Sequence, residues 1–178
     1  SGHGSTTSWA GPNVSQANVR AMTDRDALPF VISNACITAD FRVSESFGET
    51  WQRHDAGSIV FWGSMDSSFW DEDDILERAM YDQIFAQNQL RFEDVTTYAL
   101  EAVWRHYGGA GKSKYYWETY HILGDASQYL RSIKPGEVSI ASPEVIALGS
   151  DRLEVTVMDA RSQPIANVQV GATAPSGL

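Results

Sequence analysis

Cys36 is the only cysteine in 178 residues, and it stands where the apolar run Phe30-Val31-Ile32 gives way to Ser33, Asn34 and Ala35. In an open α/β sheet, the ends of strands are where ligand-handling groups collect. The chain opens on Ser1-Gly2-His3-Gly4-Ser5, and a histidine between glycines at a neighbouring strand end supplies the other half of a thiol–imidazole pair. A free thiol is mostly protonated at neutral pH, so sulfur chemistry needs an adjacent base. His3 can take the proton and later return it to a leaving amine. Gly2 and Gly4 allow close backbone approach, and the amides of Gly4 and Cys36 can aim at a developing oxyanion, where one donor is typically worth ~3–4 kcal/mol. This chemistry is that of a cysteine peptidase. The competing reading is an inert buried thiol, the usual state of a lone cysteine.

The surrounding pattern is that of an α/β domain. Residues 28–32 and 58–62 are compact apolar runs that suit buried parallel strands, the first entered from a turn at Asp24-Arg25-Asp26 and the second flanked by Gly57 and Gly63. A short helix is expected over 15–23, with Val19 and Met22 on one side, and a crossover helix over 47–54. Asp71 reads as the cap of a helix over 72–87, with Asp73 and Asp74 in its first turn and Ile75, Leu76, Met80, Ile84 and Phe85 as its apolar stripe. Asp94 precedes another helix, which ends at Gly108-Gly109. Alternating strands and helices predict a mostly parallel sheet with helices on its faces. After Pro135 the texture changes. Residues 153–158 alternate with period two, Asp159 to Pro164 form a turn, and 165–170 are extended. This predicts the opening strands of an immunoglobulin-like sandwich over 135–178, incomplete at that length.

Composition narrows the function classes. Hydrophobic residues make up 43% of the chain and aromatics 11%, enough for a packed core. The formal charge of −10 comes without a Lys/Arg cluster, which argues against nucleic acid and favours approach of basic substrates. No window is long and apolar enough for a membrane span. A single cysteine cannot form an internal disulfide. A site residue this near the start of the chain suggests a processed subunit or a fragment, with the upstream part of the same protein as its partner.

The segment His3-Gly4-Ser5-x-x-Ser8-Trp9-Ala10, followed by Asn34-x-Cys36-x-Thr38-Ala39-x-Phe41, resembles the gingipain family of cysteine peptidases, peptidase family C25. The step from His3 to Cys36 matches that family without a gap. The likeness continues through Phe47-Gly48-Glu49, Gly63-Ser64 and Trp70-x-Glu72-Asp73, and returns over 115–125, covering roughly residues 1–131. The resemblance implies a caspase-like α/β fold over 1–134, with an immunoglobulin-like domain after it. It implies His3 as general base and acid, Cys36 as nucleophile, and the Gly4 and Cys36 amides as oxyanion hole. It implies protein or peptide substrates, a preference for basic residues before the cleaved bond, and a secreted or bacterial-surface setting. Trp70 matches a wall of the specificity pocket and Asp73 the acid that follows it. An aromatic face near a carboxylate suits a long cationic side chain. Rim packing for Trp70 and helix-start electrostatics for Asp73 are the alternatives. No cofactor is needed for the chemistry, but structural calcium is common in the family, and Glu49 and the Phe41 carbonyl fall at ligand-like positions. For Glu49 an ordinary helical role is the alternative.

Other features carry less. Gly108 to Ser113 resembles a phosphate loop but lacks the required first glycine and follows a helix. His106 and His121 lie among aromatics and read as structural histidines. Beside an endopeptidase, a sortase-like transpeptidase would use the same residues, with an amine resolving the acyl-enzyme. A catalytically silent surface scaffold or adhesin is the reading from a different class.

Overall fold

The computed structural model describes residues 1–23, 27–131, 136–146 and 148–171. The expected turn at 24–26 and the boundary at 134/135 fall outside these. The chain divides into two compact units, residues 1–130 and 131–178.

The first unit is built on a three-stranded sheet of β4 (Phe30–Ser33), β5 (Val60–Ser64) and β6 (Tyr120–Gly124), in the order β4-β5-β6. The β4–β5 pair is parallel, with Val31 opposite Phe61, and β5–β6 is antiparallel, with Trp62 opposite Ile122. The sheet is therefore mixed rather than mostly parallel. All of β5 is buried, which is why its sequence is an unbroken apolar run. Its side chains alternate between two cores. Val60 and Trp62 pack with Leu76, Met80, Phe92, Val95 and Tyr116, from α3 (Trp70–Phe85), α4 (Phe92–Tyr107) and α5 (Lys112–Thr119). Phe61 packs on the other face with Val19, Phe47 and Trp51, from α1 (Gln16–Arg20) and α2 (Phe47–Arg53). Ser15 and Ser46 each close a capping box at the starts of α1 and α2. A Cβ on Gly48 would come within 2.7 Å of the Phe61 ring, so α2 lies on the sheet at a distance only glycine permits.

Several boundaries differ from expectation. Helix α3 starts at Trp70 after Phe69, with Asp71 inside the first turn rather than capping it. Phe85 ends this helix 74% exposed, outside the stripe assigned to it. Helix α4 likewise begins before Asp94 and ends, as read, at a left-handed Gly108. His106 is exposed on α4, not enclosed. His3 does not share the Cys36 sheet. It begins β1 (His3–Ser5), which pairs with β2 (Ser8–Ala10) and β3 (Val14–Ser15) in a separate antiparallel meander.

In the second unit, β7 (Val138–Ala141) pairs antiparallel with β8 (Thr156–Asp159). The stretch expected to be extended over 165–170 forms no strand, and an isolated bridge joins Pro164, in the expected turn, to Met158. Among the described residues there is no second sheet, and an immunoglobulin-like sandwich is not evident. Val138 and Ile140 on β7 are exposed, while Val157 opposite Ile140 is buried.

Candidate active site

Cys36 lies in the turn that follows β4, half-buried. The turn is held to the end of β5 and the chain just after it: the Ala39 amide donates to the Ser64 carbonyl (2.9 Å) and the Ile37 amide to the Asp66 carbonyl (3.0 Å). Below it, Ser33 Oγ and Thr38 Oγ1 are 2.8 Å apart, and Thr38 Oγ1 donates to the Ala35 carbonyl (3.3 Å). Ile37, directly after the cysteine, has φ +50°. A β-branched residue in that region is strained, and such strain concentrates at functional turns.

The meander carrying His3 is fastened to this turn at two points. The Gly2 amide donates to the Asn34 carbonyl (3.0 Å), and Trp9 Nε1 donates to Ser33 Oγ (2.8 Å). Trp9 is itself set by edge contacts to Phe47, centroids 4.9 Å apart. Pair alternation in an antiparallel ladder leaves the Gly4 amide outside the β1–β2 bonding, on the edge that Gly2 uses to reach Asn34. A Cβ on Gly4 would sit 2.7 Å from the Cys36 carbonyl oxygen and 2.6 Å from Thr38 Cγ2. Only glycine lets the two segments come this close. His3 itself is exposed and shares the wall of a pocket of about 180 Å³ with Asn34 and Ala35.

Both candidate groups meet one further segment, Ser68 to Trp70. The Ser68 amide donates to Cys36 Sγ (3.3 Å), and the thiol donates back to the Ser68 carbonyl (3.6 Å). Trp70 is 64% exposed, and its ring meets the His3 imidazole edge-on, centroids 5.9 Å apart. His3, Cys36, Gly4 and Trp70 are thus brought together at one surface.

Asp73 is not part of that surface. It is 4% exposed, and its carboxylate accepts from Tyr116 (2.9 Å), Tyr120 (2.6 Å) and Ser68 Oγ (2.8 Å). Tyr116 and Tyr120 are buried and Ser68 is half-buried, so the carboxylate expected to meet substrate is engaged by hydroxyls of the protein. Burial raises its pKa above the ordinary carboxylate value, and the three donors only partly offset this. Burial, together with Asp73, pushes both phenols up, so they stay protonated donors. Behind the same segment, Glu72 is 1% exposed and pairs with Lys112 Nζ (2.8 Å), which also lies 4.5 Å from the Phe69 ring. Burial works against the ionised Glu72, yet Lys112 and Tyr107 together hold its pKa below the usual value.

Glu49, one of the two residues the resemblance implied as calcium ligands, is engaged within the protein. Glu49 Oε2 accepts from the Ser46 amide (2.8 Å) and Oε1 pairs with Arg53 (3.1 Å), so both oxygens are engaged and one by a cation. Phe41 turns its ring to His121, centroids 5.2 Å apart. Among the described residues, no three His, Cys, Asp or Glu side chains gather where they could hold a metal ion.

Sequence reasoning missed the parts that hold the site: Trp9, Ser33 and Thr38 beneath the turn, and Ser68, Tyr116 and Tyr120 around Asp73. Tyr116 and Tyr120, four apart, carried a faint signal, because such spacing brings hydroxyls to one side of a helix end.

The family model of peptidase family C25 matches residues 1–131. The chain is 31% identical to Lys-gingipain of Porphyromonas gingivalis over 70% of its own length and 9% of that protein. It is 24% identical to gingipain R2 of the same organism, over 86% of this chain and 22% of the relative. It therefore spans less than a quarter of these relatives. The crystal structure of the Arg-specific cysteine proteinase gingipain R superimposes with a TM-score of 0.73 at 24% identity, over 88% of this chain and 38% of that one. A second solved structure, described as a protease, gives 0.71 at 25% identity, over 89% and 40%.

Proposed function

The chain belongs to peptidase family C25, and from that premise we propose that it carries the catalytic pair of a cysteine endopeptidase. The observation behind this reading is the convergence of His3 and Cys36 on the Ser68–Trp70 segment, with Gly4 packed against the Cys36 carbonyl. His3 accepts the Cys36 proton as sulfur attacks the scissile carbonyl, forming a C–S bond. The Gly4 and Cys36 amides face the oxyanion. His3 then protonates the departing amine as the C–N bond breaks, leaving a thioester on Cys36 that water hydrolyses with His3 again as base. The exposed Trp70 face forms one wall for the side chain preceding the cleaved bond, and a basic residue fits it through cation–π attraction. The net charge of −10 acts in the same direction. The likeness to gingipains supports a secreted or bacterial-surface protein, and no described helix is long and apolar enough to cross a membrane.

The test is cleavage of a peptide library with product masses read in the presence of an added amine. Hydrolysed products that disappear in Cys36→Ala support the assignment. Amine-conjugated products would make the protein a transferase, and no product from either route would leave the fold as a scaffold.

A further inference from the structure

We infer that Ser68 and the buried Asp73 network are a positioning device for the Cys36 sulfur, an inference that rests on the peptidase reading above. The Ser68 backbone bends around Sγ with its amide 3.3 Å from the sulfur. That amide precedes α3 and is unconstrained by helix or sheet bonding, so something else must hold it. Ser68 Oγ donates to Asp73 Oδ2 (2.8 Å). The next amide, Phe69, donates to Tyr116 Oη (2.8 Å), and Tyr116 donates in turn to Asp73 Oδ1 (2.9 Å). Tyr120 gives Asp73 its third hydroxyl, at 2.6 Å. One interior carboxylate therefore fixes two successive residues of the segment whose amide points at the nucleophile. Tyr116 and Tyr120 stack at 5.2 Å with 19° between their planes, which makes the anchor rigid. An amide and a carbonyl of one residue on the same sulfur fix where Sγ sits and which direction it faces before substrate arrives. Preorganisation of this kind costs nothing at the moment of reaction.

The test is the second-order rate of Cys36 alkylation by iodoacetamide at fixed pH, in the full chain, alongside kcat and KM for a peptide substrate. Ser68→Ala removes the hydroxyl tether and leaves the backbone amide and every charge in place. Alkylation should slow by about ten-fold, the scale of one weakened bond to a charged acceptor. In turnover, kcat should fall with KM little changed. Ser68→Thr keeps the hydroxyl and should restore both. Tyr116→Phe, which frees the Phe69 amide from the far side of the network, should slow alkylation in the same direction. Alkylation of Ser68→Ala at or above the wild-type rate overturns the inference whether or not the protein cleaves peptides. Conversely, a slowed and Thr-rescued alkylation in a protein that cleaves nothing keeps the positioning device and removes the peptidase reading.

Discussion

Gly4→Ala probes the contact that brings the two halves of the site together. The new methyl would lie 2.6 Å from Thr38 Cγ2, 2.7 Å from the Cys36 carbonyl oxygen and 3.0 Å from Ala35 Cβ. Ordinary contact begins near 3.4 Å, so the His3 strand must retreat from the Cys36 turn by about 0.7–0.8 Å. None of the obstructing atoms is the end of a flexible side chain. Overpacking of this size costs about 1–3 kcal/mol of stability. The functional cost should be larger, because a displacement near 1 Å of a reacting group can lower rates by about 100-fold. The amide of Gly4 also moves away from the oxyanion, which acts in the same direction. The assay is kcat/KM on a peptide amide substrate, read against the thermal midpoint. Gly2→Ala serves as the steric comparison, since its Cβ meets nothing within 4 Å, and its midpoint should stay at the wild-type value. Gly4→Ala with unchanged kcat/KM would refute the close approach as a requirement of the chemistry.

The remaining expectations concern the wall, the interior acid and the ion. Trp70→Ala removes the ring that the His3 imidazole meets edge-on, an interaction of about 1 kcal/mol, and the proposed substrate wall with it. KM should rise by about ten-fold and kcat should fall less, whereas an unchanged KM would dismiss the wall. Asp73 has its pKa raised by burial, so the native state holds its proton more tightly than the unfolded chain. Its contribution is then fully present at low pH and is lost as pH rises through the folded value. The stability of Asp73→Asn relative to wild type, from urea midpoints, should therefore improve as pH rises above about 4, and a constant difference would contradict this. Because Glu49 is occupied by Ser46 and Arg53, EDTA should leave the thermal midpoint within about 1 °C. A fall reversed by Ca²⁺ would establish a calcium site.

The sequence disclosed the elements whose burial is one-sided or complete. β4 and β5 are continuous apolar runs because both faces of the sheet are covered, α2 lies where the crossover helix was expected, and α4 stops at the glycine pair although it starts before Asp94. Cys36 was legible because it ends such a run. The β1–β2–β3 meander was not, because strands of two or three residues are too short to show a period. β6 was hidden because it starts at Tyr120, directly after α5 ends at Thr119, with no turn residue between them. The partners of Asp73 were hidden for a related reason. Acids at a helix start usually face water, and only the fold shows that Tyr116 and Tyr120 arrive from a segment more than 40 residues away. The alternation over 153–158 was real as a pattern, but only Thr156–Asp159 found a partner strand.

The most direct measurement is the mass of the Cys36-containing peptide after rapid acid quench of the protein with a slowly cleaved substrate. A thioester on Cys36 should accumulate, be released by hydroxylamine, and be absent in His3→Ala quenched at the same time. Turnover with no covalent adduct on Cys36, or an adduct that forms equally fast without His3, would contradict the account.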